Sequence, residues 1–152
     1  MCRAEHSPDW TCGRLDTEEE RLGRRQTLEV PGVAHSAPIP MGVRVGNMVF
    51  SSGVSGQDPA DGSLPADPAR QAELMFRNVR TLLEQAGATL DDVAHFTVYV
   101  KDNAYREDLN REWLKAFPDE HDRPARHTLR WDLPGGMLIQ CELVAVLDGA
   151  GA

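Results

Sequence analysis

An apolar stripe at helical spacing is the feature that most constrains how this chain can fold. Asp67 followed by Pro68 is typical of the start of a helix, and Gly87 is well placed to end one. The apolar residues between them recur at spacings of three and four: Ala72, Met75, Phe76, Val79, Leu82, Leu83 and Ala86. The pattern predicts an amphipathic helix that must bury this face against other elements.

A strand and a second helix are predicted directly after the first helix. The segment from Val93 to Val100 alternates in polarity, which is typical of a strand with one buried side: Ala94, Phe96, Val98 and Val100 against His95, Thr97 and Tyr99. The second helix ends at Pro118, and its apolar face is expected to carry Tyr105, Leu109, Trp113 and Phe117.

Further strands are predicted on both sides of this central part. Residues 43–51 indicate two short strands joined at a Gly-Asn turn, residues 57–68 a loop, and residues 126–131 and 137–147 two more strands. The order predicts a single α+β domain with a mixed β-sheet packed against two helices. Two helices on one face leave the other face uncovered, which favours self-association.

Composition excludes several classes of protein. The net charge of −8 opposes binding to nucleic acid, and no apolar run reaches the roughly 20 residues of a membrane span. The first residues have no signal-peptide pattern, so a cytoplasmic protein is expected. We predict a flexible N-terminal extension over 1–27, a domain over 28–148 and a tail over 149–152. No metal or cofactor motif is present, and neither is expected.

Several short motifs, taken in order, give the chain a family resemblance. They are V-G-N at 45–47, S-S-G at 51–53, Gln71 and Asn78, V-Y-V-K-D at 98–102, Asn110, and R-P-A-R at 123–126. With these motifs the chain resembles the RidA (YjgF) family over most of residues 33–146. The resemblance implies a chorismate-mutase-like fold and a homotrimer with ligand clefts at the subunit interfaces. It also implies cofactor-free hydrolysis of reactive 2-imino or enamine acids to 2-oxo acids and ammonia.

The resemblance assigns roles to residues that could bind a small carboxylate-bearing substrate. Arg126 matches the family's carboxylate-binding arginine, and a guanidinium can hold a carboxylate with two parallel hydrogen bonds. Without the resemblance, Arg126 would be interpreted as an exposed, ion-paired strand residue. Ser52 and Gly53 match the family's S-G at a strand end, and Asn110 is a further candidate for a polar contact across the interface.

The chain departs from the family pattern at the catalytic carboxylate. The first glutamate of the family's V-E-I-E-A segment, thought to position water, falls on Gln140, and the second falls on Glu142. An alternative alignment puts Glu142 at the catalytic position. An amide can orient water but is not a general base. Gln140 and Glu142 share one face of a strand in either case, and Cys141 faces the other way as a small buried residue.

A second departure concerns the pocket wall, where Ile39 replaces the family's tyrosine. Together with His127 and Trp131, Ile39 suggests a substrate that is bulkier than 2-iminobutanoate or derived from an aromatic amino acid. Two functions remain open. One is an imine deaminase that uses Arg126, Gln140 and Glu142. The other is a non-catalytic trimer that binds a small metabolite and has a regulatory role.

Overall fold

The computed structural model describes residues 24–148. In this part of the chain, both α-helices pack on one mixed β-sheet. Its strands are β1 Gln26–Leu28, β2 Gly42–Val45, β3 Met48–Ser51, β4 Val54–Ser55, β5 Val93–Val100, β6 Ala125–Arg130 and β7 Ile139–Val146. The helices are α1 Pro68–Gln85 and α2 Arg106–Ala116. Neither helix of residues 24–148 combines the length and the apolar composition that a membrane span requires.

The predicted chain ends fall largely outside this description. Residues 1–23 of the expected extension and residues 149–152 of the expected tail are not among the described residues. Gln26 and Thr27, which the sequence analysis placed in the extension, are part of β1 and pair with β2. The sheet therefore begins two residues earlier than Leu28.

The strand order explains how distant segments meet. The sheet runs β1-β2-β3-β7-β5-β6 in the described chain, and β4 pairs with β7. Strands β5 and β6 are parallel, whereas the other pairs are antiparallel. A parallel pair needs a crossover connection, and α2 supplies it. This confirms the α+β fold with two helices and places β6 at the edge of the sheet.

Helix α1 has the boundaries that its sequence predicts. The Asp67 side chain accepts a hydrogen bond from the backbone N–H of Ala69 at 3.0 Å, which caps the first turn. Gly87 has φ +72°, the left-handed conformation that glycine adopts readily after a helix. The predicted apolar stripe is buried along its full length.

Helix α2 packs on the same face of the sheet through aromatic side chains. The ring of Phe96 on β5 lies 5.5 Å from the ring of Trp113 and 6.0 Å from that of Phe117, centroid to centroid. Leu109 is also buried, as predicted. Tyr105 is only partly buried, because it belongs to a single 3₁₀ turn that precedes α2.

The alternation predicted for β5 is wrong at its first residues. Ala94 is exposed, whereas Val93 is buried. The pairing of β5 with β7 shifts between Val93 and His95, which is a β-bulge. One extra residue in a strand reverses which side chains face the core before the bulge. The predicted alternation of buried and exposed residues therefore holds only from His95 onward.

Two buried amides connect α1 to the loops around it. Gln71 donates from Nε2 to the carbonyl oxygens of Pro65 at 2.7 Å and Gly136 at 2.8 Å, and its Oε1 accepts from the N–H of Leu138 at 2.9 Å. Asn78 donates from Nδ2 to the carbonyl oxygens of Ser55 at 3.0 Å and Gln57 at 2.8 Å. The helix thereby fixes loops far from it in sequence.

The face of the sheet opposite the helices is uncovered and partly apolar. Phe50 and Val144 are paired across β3 and β7, and Met48 is paired with Val146. Phe50 is 38% exposed and Val146 is 42% exposed. The open face expected from the element order is therefore present in the single chain.

Replacing Gln71 by leucine is expected to destabilise the protein strongly. The substitution leaves two carbonyl groups and one N–H without their partner, which costs about 3 kcal/mol of the free energy of unfolding. Urea unfolding followed by circular dichroism measures this change. The matched control is Gln85→Leu at the exposed end of the same helix, where the change should stay within about 0.5 kcal/mol. Equal effects of the two variants would contradict the role of the buried amide.

Candidate active site

Two adjoining cavities meet at Gln140. The first has a volume of about 440 Å³ and is lined by Gly53, Tyr99, Trp131, Leu133, Pro134, Met137, Gln140 and Glu142. The second, of about 370 Å³, shares Gly53, Pro134, Met137 and Gln140 with the first and extends along residues 33–36 to Ser55, Gln57 and Leu64. Cavities of this size accommodate small organic ligands.

Gln140 is held at this junction by its neighbours in the sheet. It pairs with Tyr99 on β5 and with Ser55 on β4. Its Nε2 has one weak contact, to the Met137 sulfur at 3.8 Å. A Cβ atom at Gly53 would lie 2.5 Å from that Nε2, so a larger residue at this position would displace the Gln140 side chain. Gly53 lines both cavities, and its contact with a ligand stays a prediction.

Glu142 lies two residues further along β7 and lines the first cavity only. The Tyr99 hydroxyl donates a hydrogen bond to Oε1 of Glu142 at 3.2 Å. Burial, and then the charge of Glu142, raises the pKa of Tyr99 above its ordinary value. Cys141 faces the helices and is fully buried, and this burial raises the pKa of its thiol.

Arg126 lies on the other side of the sheet. It is paired with Phe96, whose side chain faces the helices, and its guanidinium lies 4.7 Å from the ring centre of Trp113. Its Nη2 donates to Oδ1 of Asn110 at 2.8 Å. Its Nη1 is buried and has no hydrogen-bond partner within the described chain. Burial, and then repulsion from Arg106, lowers the pKa of Arg126 below its ordinary value.

The single chain therefore brings together only some of the expected site residues. Arg126 and Asn110 form one group at the edge strand, and Gly53, Gln140 and Glu142 form another on the open face. Ser52 lines neither cavity. Its Oγ instead donates a hydrogen bond to the carbonyl oxygen of Pro40 at 2.8 Å, which stabilises the segment before β2.

Ile39 also lines neither of these cavities, and its side chain is 49% exposed. The wall next to Gln140 is formed instead by residues 33–36, which include His35. A contact between Ile39 and a ligand stays a prediction.

Sequence reasoning gave no role to several residues that shape these cavities. Tyr99 was assigned only to the polar side of a strand, and its contact with Glu142 depends on the pairing of β5 with β7. Gln71 and Asn78 entered only through the family resemblance. Their structural role could have been predicted from the sequence, because each is an amide inside the apolar stripe of α1, where an unpaired polar group is costly.

The cavities offer hydrogen-bonding groups and one carboxylate to a ligand. Among the described residues, no group of three or more His, Cys, Asp or Glu side chains is placed to hold a metal ion. The fold and its cavities define a single-domain α+β protein with a cleft, next to an uncovered sheet face, that can take a small molecule.

Comparisons with known proteins identify the family. The endoribonuclease L-PSP family matches residues 33–147. A 2-iminobutanoate/2-iminopropanoate deaminase of Escherichia coli is 37% identical over 112 residues, covering 72% of this chain and 87% of that protein. RidA from an Antarctic Psychrobacter species has a TM-score of 0.75 at 30% identity, covering 81% of this chain and 100% of the other. Escherichia coli TdcF with bound serine has a TM-score of 0.74 at 28% identity, covering 81% and 99%. The chain belongs to the RidA (YjgF) family.

The titration of Tyr99 should depend on Glu142. Burial and the carboxylate both favour the neutral phenol, so Glu142→Gln should lower the pKa of Tyr99 while leaving it above the ordinary value, because burial remains. The chain has two tyrosines, so absorbance at about 295 nm in a Tyr105→Phe background reports Tyr99 alone. Glu107→Gln removes one charge on the exposed side of α2 and should leave this pKa unchanged. An unchanged pKa in Glu142→Gln would contradict the contact.

Proposed function

We propose that this protein catalyses the hydrolytic deamination of a reactive 2-imino or enamine carboxylic acid to a 2-oxo acid and ammonia, without a metal or organic cofactor. The similar Escherichia coli protein is named a deaminase of 2-iminobutanoate and 2-iminopropanoate, which supports this reaction class. The observation that carries the proposal is the state of Arg126.

The guanidinium of Arg126 has a free hydrogen-bond donor with which it can bind an anion from outside its own chain. No carboxylate forms an ion pair with it in residues 24–148, and Nη1 is buried without a partner. Leaving a charged donor unpaired is costly. Asn110 and the Trp113 ring fix the plane of the guanidinium. A substrate carboxylate would satisfy the free donors and would be held in one orientation.

The complete site requires two copies of the chain. Arg126 lies on the edge strand β6 with Asn110 of helix α2 beside it, whereas Gln140 and Gly53 lie at the cavities on the open face. A symmetric homotrimer, as the family resemblance implies, would bury the apolar open face and could bring the edge strand of one subunit to the cavities of the next. Each interface would then contain one site.

The reaction needs little beyond orientation. The oxygen of water adds to C2 of the protonated imine, which is already a strong electrophile, and a proton leaves that oxygen. Once the nitrogen of the resulting carbinolamine has gained a proton, its C–N bond breaks and ammonia departs. The hydroxyl proton passes to that ammonia or to water as the carbonyl group forms. Arg126 holds the carboxylate, and Gln140 orients the water by hydrogen bonds. The amide is not a general base, so water or the leaving nitrogen must accept the proton.

Replacing Arg126 by alanine should lower kcat/KM for imine hydrolysis about 100-fold, because two charge-assisted hydrogen bonds worth about 3 kcal/mol are lost. Imines are made in situ with an amino-acid oxidase, and the 2-oxo acid is measured in competition with semicarbazide. Arg126→Lys keeps the charge but not the planar fork, and should give an intermediate loss. Arg130→Ala, an exposed position on the same strand, is the control and should change kcat/KM less than about twofold.

Mixing two inactive variants should restore activity if each site spans two chains. Arg126→Ala and Gln140→Leu subunits, unfolded and refolded together in equal amounts, give about one quarter of interfaces with both wild-type halves. Activity should therefore recover to about one quarter of the wild-type level. Refolding each variant alone is the control. No recovery in mixed trimers, verified by mass spectrometry, would place the whole site within one chain.

A second candidate function is a trimer that binds a small metabolite without converting it, in a regulatory role. The observation that favours it is Gln140, which stands where the resemblance places a glutamate. Under this alternative the wild type binds a 2-oxo acid through Arg126 but does not accelerate imine hydrolysis. The kinetic comparison above, combined with calorimetry of 2-oxo acid binding, separates the two functions.

A further inference from the structure

We propose that the first cavity binds the substrate side chain, and that this side chain ends in a cation. The preferred substrate class is then the 2-imino acid of a basic amino acid, such as the one derived from arginine. This inference rests on the proposed function, because it takes the reacting carbon to lie at Gln140. It assigns Glu142, Tyr99 and Trp131 to substrate selection.

The charge of the cavity is the first argument. Glu142 is the one charged side chain among the residues that line it. Its carboxylate accepts a hydrogen bond from the Tyr99 hydroxyl at 3.2 Å, which is long for a hydrogen bond to a carboxylate. No salt bridge joins Glu142 to a cation in residues 24–148. The carboxylate can therefore accept a charged donor from a ligand.

The cost of covering Glu142 decides between a cationic and a neutral aromatic side chain. Glu142 is exposed in the single chain, so a ligand that fills the cavity removes water from it. A neutral aromatic ring would leave a desolvated carboxylate with no cation beside it, which is costly. An ammonium or guanidinium group removes the same water and replaces it with an ion pair.

The aromatic residues of the cavity support the same choice. Tyr99 and Trp131 both line it, and Trp131 is 63% exposed beyond the end of β6. The faces of such rings attract cations, tryptophan most strongly. The thioether of Met137 and the side chain of Leu133 provide apolar contacts for a methylene stem. Carboxylate, rings and apolar wall together match a long side chain with a charged end.

The spacing along β7 fits the length of a basic side chain. Gln140 and Glu142 are two residues apart on one face of a strand, which separates their Cα atoms by about 6.6 Å. A stem of three or four methylene groups spans about the same distance. With the carboxylate held by Arg126 and the imine carbon at Gln140, the charged end would reach Glu142.

The test compares the imine of arginine with that of citrulline, its neutral and nearly isosteric analogue. Wild type should show a kcat/KM about tenfold higher for the arginine-derived imine. Glu142→Gln should reduce this preference to about twofold or less, with the larger loss of kcat/KM on the arginine-derived imine. Glu107→Gln removes one negative charge elsewhere and should keep the full preference. The imine of phenylalanine serves as the neutral aromatic comparison.

Each other outcome has a distinct meaning. Equal values of kcat/KM for the two imines, or a preference for the phenylalanine-derived one, would overturn the inference. An equal loss with all imines in Glu142→Gln would show that Glu142 acts in the shared reaction and not in side-chain selection, which also overturns it.

Calorimetry with the 2-oxo acids of arginine and citrulline tests the subsite independently of catalysis. Tighter binding of the cationic oxo acid, abolished in Glu142→Gln, combined with no hydrolysis of any imine, would support the subsite and overturn the proposed reaction. No discrimination in either binding or hydrolysis would overturn the subsite.

Discussion

The rest of this structure depends on one constraint: the helices cover only one face of the β-sheet. Helices α1 and α2 bury Phe96, Val98 and Cys141 on one side and leave the alternate residues of the same strands open. Because side chains alternate along a strand, this arrangement separates Arg126 from Gln140. Under the proposed function, a chain built in this way has two incomplete halves of a site, which favours a second copy as the partner.

The buried amides of α1 hold the loops around the cleft in place by hydrogen bonds. Gln71 and Asn78 each replace an apolar residue in the stripe and are paired with backbone groups of the loops at 65, 136–138 and 55–57. Those loops carry or adjoin the cavity walls. Burying an amide is costly unless it is hydrogen-bonded, so these contacts specify the loop positions as well as stabilise them. The Oδ1 of Asn78 is buried without a partner within the described residues.

The two ends of the proposed site carry opposite charges, which favours one orientation of the substrate. A guanidinium lies at one end, a neutral amide at the proposed point of reaction, and a carboxylate at the other end. A glutamate at position 140 would place two carboxylates on one strand face about 6.6 Å apart and would favour a cation between them. With Gln140 the negative charge belongs to Glu142 alone, and this separates the task of orienting water from that of selecting a side chain.

The sequence by itself determined the local elements and their faces. The stripe and caps of α1, the Gly-Asn hairpin, and the opposite orientation of Cys141 and Gln140 all depend on residues a few positions apart, where periods of 3.6 and 2 apply. The family resemblance added the candidate residues, including Arg126, Gly53 and Gln140. None of this required knowledge of which strands pair.

Only the tertiary structure decided how these elements combine. The bulge at Val93–His95, the contact of Tyr99 with Glu142, and the position of Arg126 over Trp113 depend on contacts between residues as distant in sequence as Val93 and Ala145. Strand register and packing against α2 are set by the total burial of the core, which no local pattern encodes. For that physical reason the sequence indicated the groups that could do the chemistry, and the fold decided which of them share a cavity.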